Sequence, residues 1–367
     1  MALIKDIYSR SFYERIASSF KESIPGFDQA KFVKAIFTPA FTQMEWKQRM
    51  KHTTQALHSF MPKGYKSAAS LLEHIIEQLR KDGMGNGMLE FMFLPDYVAT
   101  YGIQDLKPSI RALEFVTQYI SCEFAVRPFL VKYPDEMMAQ MLKWSHHKSA
   151  AVRRLSSEGS RPRLPWGMAI QSLKKDPRLI VPILENLKND PSESVRRSVA
   201  NNLNDIAKDN PDVVLKIAAK WAGHNKETDA IIKHGCRTLL KQGHPDVLAH
   251  FGLTDEQVQV NEFKVATPKV SMGDYLQFSF TIANSGNASK AIRLEYGMYY
   301  KRSNGILNKK VFKISERLYA PGEICNITRR QSFKPITTRK YYPGMHKVAI
   351  VVNGVEKAAG NFELVDK

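Results

Sequence analysis

The chain has 367 residues, 43% of them hydrophobic and 25% charged, so it is long enough for two or three domains with separate cores. Its formal net charge of +18 indicates a polyanionic partner such as nucleic acid, or a membrane surface, with a merely solubilising surface as the alternative. The three cysteines, Cys122, Cys236 and Cys325, are far apart and odd in number. This excludes a disulfide framework and a CxxC metal site, and it favours a reducing cytosol.

Targeting and membrane-spanning segments are not predicted. Residues 1–6 are charged and amphipathic, unlike a signal peptide, and no stretch approaches the ~20 apolar residues that a bilayer span requires. We therefore expect a cytoplasmic protein with no membrane partner.

Residues 1 to about 130 show the 3.6-residue periodicity of amphipathic helices. Two apolar stripes carry it, the first formed by Ile4, Ile7, Phe12, Ile16 and Phe20 and the second by Leu71, Leu72, Ile75, Ile76 and Leu79. Turn-forming residues interrupt the pattern at 25–26, 62–64, 82–87 and 108. The pattern predicts antiparallel helix pairs joined by short turns.

An internal repeat begins near residue 140. The triplet Val152-Arg153-Arg154 recurs as Val195-Arg196-Arg197, 43 residues later, and a weaker third copy lies over 231–233, a further 36 residues on. Two-helix units at about 40-residue spacing are typical of HEAT or armadillo-type solenoids. Because equivalent repeat positions line one side of a solenoid, we expect a basic stripe formed by Arg153, Arg154, Arg196, Arg197 and Lys233. The alternative is that these arginines pair with an acid of the neighbouring repeat.

Near Gly252 the periodicity changes from that of helices to the alternation of strands. Strands are predicted at 275–282, 292–300, 308–314, 323–333 and 346–352, with a hairpin turn at Asn353-Gly354 before a last strand. Six or seven short strands in about 105 residues are typical of an immunoglobulin-like sandwich. The predicted fold class is therefore multidomain: an all-α HEAT-like solenoid at 1–252, a linker at 253–261 and an all-β immunoglobulin-like sandwich at 262–367.

The motifs of several common enzyme classes are missing. No GxxxxGK[ST], GxGxxG, HExxH or GxSxG pattern occurs. His146 and His147 are adjacent rather than four residues apart, so they do not predict a helical metal site. We expect neither a cofactor nor a metal.

One segment, residues 144–166, combines four arginines and two tryptophans with a single acid, Glu158, in a predicted loop between helices. On its own this acid predicts only a weak surface ion pair. A second acid, Glu123, is flanked by apolar residues on a predicted helix, where Arg127 is the candidate structural partner. Carboxylates in a basic, aromatic setting instead suit a polyanion that carries a cation at one point.

DNA with a base alkylated at a ring nitrogen is such a polyanion. Its glycosidic bond is already weakened by the positive charge, so an enzyme needs only to stabilise an oxocarbenium-like sugar and to position a water. Carboxylates do both, tryptophans hold the cationic base, and arginines bind the flanking phosphates.

The run from Trp144 to Trp166, WSHHKSAAVRRLSSEGSRPRLPW, resembles the signature of the AlkC branch of the AlkC/AlkD family of bacterial DNA glycosylases. Residues 121–129, SCEFAVRPF, are similar to that branch's second characteristic segment, and members with a C-terminal immunoglobulin-like domain exist. The resemblance implies a monofunctional, monomeric DNA repair enzyme. It would excise 3-methyladenine and 3-methylcytosine from duplex DNA.

The resemblance places lesion-facing acids on Glu123 and Glu158, the stacking aromatic on Trp166, and phosphate contacts on Arg154 and Arg161. The remaining predicted DNA-binding residues come from the repeat and from composition: Trp144, Arg153, Arg163, Arg196, Arg197 and Lys233. The alternative function is a non-catalytic HEAT-repeat scaffold that binds nucleic acid through the same stripe without releasing a base.

The predicted sandwich is itself strongly basic. Residues 257–367 contain 18 lysines and arginines against 8 aspartates and glutamates, a net charge of +10. This suggests a second DNA contact around 301–302, 309–310 or 329–330.

Overall fold

The computed structural model describes residues 3–337 and 339–366 in two compact units, Met1–Gly235 and Cys236–Lys367. The first unit is helical. Its α-helices are α1 (Arg10–Ser23), α2 (Gln29–Ile36), α3 (Trp46–His58), α4 (Tyr65–Lys81), α5 (Phe93–Tyr101), α6 (Leu106–Val116), α7 (Val126–Lys132), α8 (Pro134–Trp144), α9 (Ala150–Gly159), α10 (Gln171–Lys175), α11 (Val181–Leu187), α12 (Glu193–Ile206), α13 (Pro211–Trp221) and α14 (Lys226–Gly235). Short 3₁₀ helices lie at Ile4–Ile7, Pro39–Gln43 and Leu89–Met92.

Prolines open several of these helices. Pro134 and Pro211 are the first residues of α8 and α13, and Pro182 is the second residue of α11. Pro108, where the sequence predicted a break, lies in the first turn of α6. Proline is tolerated there because an N–H in the first turn has no partner within the helix. The break is therefore at the start of α6 and not inside it.

Successive repeats are joined by one recurrent hydrogen bond. The indole Nε1 of Trp144, at the end of α8, donates to Glu114 Oε2 of α6 at 2.6 Å. The indole of Trp221, at the end of α13, donates to Glu185 Oε2 of α11 at 2.7 Å. Trp144 is only 1% exposed. The prediction that Trp144 contacts DNA is therefore corrected, because its ring belongs to the core.

The second unit contains α15 (Arg237–Gln242), α16 (Pro245–His250) and eight strands. The strands are β1 (Val258–Val265), β2 (Lys269–Ser271), β3 (Tyr275–Asn284), β4 (Lys290–Lys301), β5 (Leu307–Tyr319), β6 (Ile324–Ser332), β7 (Gly344–Val352) and β8 (Val355–Val365). They form a three-stranded sheet in the order β1-β3-β6 and a five-stranded sheet in the order β2-β8-β7-β4-β5.

The predicted all-β fold class of this part is confirmed, with an earlier start. β1 begins at Val258 and pairs antiparallel with β3, so half of the segment expected as a linker, 253–261, lies in a sheet. Alternate residues of β3 and β4 enclose the core, among them Phe278, Phe280 and Leu294. A side-chain period of two places these apolar residues on one face of each sheet.

His346, on β7, is buried in the second unit and is hydrogen-bonded through both ring nitrogens. It is 1% exposed, its Nδ1 accepts from the Lys301 amide at 3.3 Å, and its Nε2 donates to the Tyr342 carbonyl at 2.9 Å. Burial lowers its pKa below the ordinary value, because the interior disfavours the charged ring.

We expect the second unit to lose stability as pH falls below about 6.5, since unfolded chains then bind a proton that folded His346 does not. The slope from this group is at most about 1.4 kcal/mol per pH unit. His346→Phe keeps a ring against Phe362 and should flatten the slope in urea unfolding between pH 5 and 7. Equal slopes in the wild type and in His346→Phe would contradict the assignment to His346.

Candidate active site

Two carboxylates and one arginine meet at the C-terminal end of α9. Glu158 lies in the last turn of this helix, and not in a loop as the sequence predicted. Arg154, one turn earlier, places Nη2 at 2.9 Å from Glu123 Oε2 and at 3.9 Å from Glu158 Oε1. The structure thus brings together the two acids and the arginine that the sequence singled out.

Glu158 is at the buried end of this group. The residue is 5% exposed, Oε1 accepts from Arg161 Nη1 at 2.6 Å, and Oε2 accepts from Ser198 Oγ of α12 at 2.6 Å. Charge-assisted hydrogen bonds at these lengths are strong and directional. The carboxylate is therefore held in one orientation.

Glu123 is at the exposed end, in the turn that precedes α7. Its side chain is 19% exposed, and Oε2 accepts from Ser121 Oγ at 2.8 Å. Arg154 Nη1 donates to the same hydroxyl at 3.0 Å. Because Arg154 lies between the two acids, its positive charge offsets the repulsion between their carboxylates.

A third acid, Asp205, completes the group and was not predicted. It is 1% exposed on α12, where Oδ2 accepts from Arg161 Nε at 2.8 Å and Oδ1 from Lys208 Nζ at 2.9 Å. Burial disfavours the Arg161 charge, but Glu158 and Asp205 outweigh it and raise the pKa of Arg161. The sequence carried a usable signal, since Ser198, Asn202 and Asp205 recur at the i, i+4, i+7 spacing of one helix face.

Arg127 is not the partner of Glu123, although the sequence offered it as the candidate. It is fully buried, and it donates to the carbonyls of Gly159 and Arg161, both at 2.8 Å, and of Met168, at 2.6 Å. Burial, with the nearby charge of Arg161, lowers the pKa of Arg127 to about 10. Arg127 therefore holds both ends of the segment that follows α9.

Trp166 lies in the middle of that segment and is 64% exposed. Its ring centroid is 6.0 Å from that of Trp46, at an interplanar angle of 48°. Its φ of +63° is in the left-handed region, which bulky residues rarely adopt. A large aromatic face is thus exposed to solvent in the segment that follows α9, the helix of Glu158.

The first arginine of each Val-Arg-Arg triplet has a structural role. Arg153 donates to the carbonyls of His147 and Lys148, both at 2.9 Å, and its Nε lies 2.6 Å from Asp190 Oδ2. Arg196 repeats this with the carbonyls of Asp190 and Pro191, at 2.7 and 2.9 Å. These guanidinium groups stabilise the turns before α9 and α12, and Arg153 also pairs with Asp190. The DNA contacts of Arg153 and Arg196 stay a prediction.

The third residue of each triplet is exposed to a larger degree. The side chains of Arg154 and Arg197 are 31% and 65% exposed, and Arg197 lies 3.5 Å from Glu193. Lys233, the equivalent residue on α14, is also exposed. Because α12 packs between α9 and α14, these three cations lie on adjacent helices.

Arg163, which the sequence predicted to bind DNA, forms an ion pair with Asp209. Its Nε and Nη2 donate to the two oxygens of Asp209, at 2.7 and 2.5 Å. The guanidinium also lowers the pKa of Asp209. The Arg163 and Asp209 side chains are 38% and 25% exposed, and the DNA contact of Arg163 stays a prediction.

The site offers carboxylates, arginines that are hydrogen-bonded to them, and an exposed aromatic ring. Within residues 3–337 and 339–366, no group of three or more His, Cys, Asp or Glu side chains is placed to hold a metal ion. His146 Nε2 accepts from Asn186 at 2.8 Å, and His147 Nδ1 accepts from the Ser149 amide at 3.0 Å, so both histidines serve the turn before α9. No helix in the part of the chain that the structure describes is both long and apolar enough to cross a bilayer.

Comparison with known proteins agrees with this architecture. Residues 180–209 match the HEAT repeat model, and residues 259–366 match the model of the C-terminal immunoglobulin-like domain of YhaZ. The uncharacterized protein YhaZ of Bacillus subtilis is 40% identical over 365 residues, which cover 99% of this chain and all of that protein. The alkylpurine DNA glycosylase AlkC of Pseudomonas fluorescens, solved bound to DNA containing an abasic site analog, is 35% identical with a TM-score of 0.93, over 99% of this chain and all of that one. The chain therefore belongs to the AlkC branch of the AlkC/AlkD family of HEAT-like repeat DNA glycosylases, with a C-terminal immunoglobulin-like domain.

Proposed function

We propose that the protein is a monofunctional DNA glycosylase that hydrolyses the N-glycosidic bond of cationic N3-methylated bases, 3-methyladenine and 3-methylcytosine, in duplex DNA. The observation that carries this proposal is the fixed Glu158 carboxylate beside the more open Glu123. Binding to phosphates alone would not be favoured by the more exposed carboxylate of Glu123 beside Arg154. The match to a DNA glycosylase over the whole chain supports the same activity.

The chemistry needs no general acid. As the bond between C1′ and the base nitrogen breaks, its electron pair neutralises the positive base, which leaves without being protonated. The carboxylates of Glu158 and Glu123 stabilise the oxocarbenium-like sugar. One of them accepts a proton from the water that adds to C1′. The hydrogen bonds from Arg161 and Ser198 hold Glu158 ready before the substrate arrives.

The proposed DNA contacts follow the exposed cations. Arg154, Arg197 and Lys233 on three adjacent helices suit a run of phosphates, and Trp166 offers a ring to the cationic base. The charge of Arg154 also offsets the negative charges of Glu123 and Glu158. If Arg154 bound a phosphate instead, both carboxylates would be available to the cationic lesion.

Release of free base from methylated duplex DNA tests the proposal. We expect release of 3-methyladenine and 3-methylcytosine, with abasic but unbroken strands as the other product, in buffer containing a metal chelator. Salt-dependent DNA binding without base release would instead support the non-catalytic scaffold.

The second unit is proposed as a further DNA contact. Arg302 and Lys310 are exposed on either side of the turn between β4 and β5. We expect the double variant Arg302→Gln, Lys310→Gln to reduce the slope of log K against log salt by about 1.8, because each lost phosphate contact removes about 0.9. The measurement is fluorescence anisotropy at several salt concentrations, with Lys63→Gln plus Lys66→Gln, exposed residues of the helical unit, as the matched control. An unchanged slope would count against a DNA contact at this turn.

A further inference from the structure

We propose that Lys47 is a positioning residue for base excision. It would hold the Trp166 loop, defined as residues 160–170, against the segment that carries Glu123. Lys47 is exposed on the first turn of α3, far in sequence from both. The proposal rests on the proposed glycosylase function for its consequence, but the contact itself is tested independently of that function.

The Trp166 loop needs to be held because its central residue has an unfavourable backbone. A bulky side chain at a φ of +63° persists only where the surrounding structure stabilises it. Without stabilising contacts, the backbone of the loop would relax and the indole ring would move. The orientation of Trp166 therefore depends on groups outside its own backbone.

Arg127 stabilises only the ends of the loop. Its hydrogen bonds reach the carbonyls of Arg161 and Met168, on either side of the tryptophan. At the middle, the Lys47 ammonium donates to the carbonyl of Trp166 itself. Lys47 is thus placed to fix the peptide whose conformation is strained.

The same ammonium reaches the acid-bearing segment. Lys47 Nζ lies 5.6 Å from the ring centroid of Phe124, the neighbour of Glu123, within the range of a cation–π contact. Trp46, the preceding residue, packs its ring at 6.0 Å from that of Trp166. Two adjacent residues of α3 therefore connect the stacking aromatic with the segment of the exposed acid.

The competing explanation is that Lys47 is one more surface cation that attracts DNA. Lys51 separates the two ideas, since it is exposed on the same helix, one turn later. If charge alone matters, Lys47→Met and Lys51→Met will have equal effects. If position matters, only Lys47→Met will change the loop, and Lys47→Arg, which keeps a donor and a charge, will retain most of the wild-type behaviour.

Tryptophan fluorescence reports on the loop directly. Trp46, Trp144 and Trp221 are 5%, 1% and 0% exposed, so acrylamide quenching of the native protein reports mainly on Trp166. We expect Lys47→Met to change the acrylamide quenching of Trp166 and to lower the anisotropy of the tryptophan fluorescence. Lys51→Met and Lys47→Arg should leave both close to wild type.

Single-turnover base release on methylated duplex DNA gives the second readout. We expect Lys47→Met to lower the rate by roughly 10- to 100-fold, the range for a misplaced active-site group, with DNA affinity reduced no more than in Lys51→Met. Unchanged quenching and rate in Lys47→Met would overturn the proposal, as would equal losses in Lys47→Met and Lys51→Met. If the wild-type protein releases no base, the glycosylase proposal fails, while the quenching result still decides whether Lys47 holds the loop.

Discussion

Replacing Glu158 by glutamine is expected to lower single-turnover base release by about 10²- to 10³-fold, the typical effect of removing one group that stabilises transition-state charge. The amide keeps the size of the side chain, and its oxygen still accepts from Arg161 or Ser198. The negative charge that would face the sugar is lost. DNA affinity should not fall, because the substitution removes a negative charge from a surface that binds a polyanion.

Glu193→Gln is the matched control for this variant. It makes the same change of charge on the adjacent helix α12, at a side chain that is 80% exposed and lies 3.5 Å from Arg197. We expect wild-type base release from the control. Wild-type release from Glu158→Gln as well would remove Glu158 from the mechanism, and the proposed chemistry would then depend on Glu123 alone.

The secondary structure was predictable wherever apolar periodicity ran without interruption. Stripes such as Leu72, Ile75 and Leu79 lie in buried positions of α4, as their spacing predicts. β1 was missed because its alternation is broken by a bulge between Asn261 and Lys264, where Glu262 has a φ of +53°. An added residue of this kind reverses which side chains face the core, so the strand does not show a period of two.

The acids of the site were more predictable than its cations. Glu123 and Glu158 stood out as carboxylates in unusual surroundings, and the structure places one arginine between them. The prediction for Trp144 followed its basic neighbours in the sequence. Trp144 lies instead with Met137 and Met141 on the buried face of α8. Composition identifies a basic segment, but the helical spacing is needed to tell which of its side chains are buried.

The repeat predicted which residues occupy equivalent positions, but it did not predict which groups they bind. Equivalent positions do share a role, and Arg153 and Arg196 make the same backbone hydrogen bonds in successive repeats. That role, however, is to donate hydrogen bonds to the carbonyls of the turn before each helix. A sequence repeat therefore predicts shared geometry, and it does not show whether the shared feature faces DNA or the fold.

Arg161 and Arg197 provide the sharpest test of this distinction. Arg161, expected from the family resemblance to contact phosphate, is 6% exposed between Glu158 and Asp205. Removing one member of a buried ion network typically costs about 3–5 kcal/mol, because the remaining charges stay buried without compensation. We expect Arg161→Met to lose about this much stability in urea unfolding of the helical unit.

Arg197→Met should behave in the opposite way. Its surface pair with Glu193 contributes little to stability, so unfolding should change by less than about 1 kcal/mol. DNA affinity should fall, and the slope of log K against log salt should decrease by about 0.9 for the lost phosphate contact. If Arg161→Met instead keeps its stability and loses the salt slope, then Arg161 leaves its two carboxylates to bind a phosphate. In that case the charges of Glu158 and Asp205 are released by DNA binding itself, and the ionic group of the free protein is the inactive arrangement of the site.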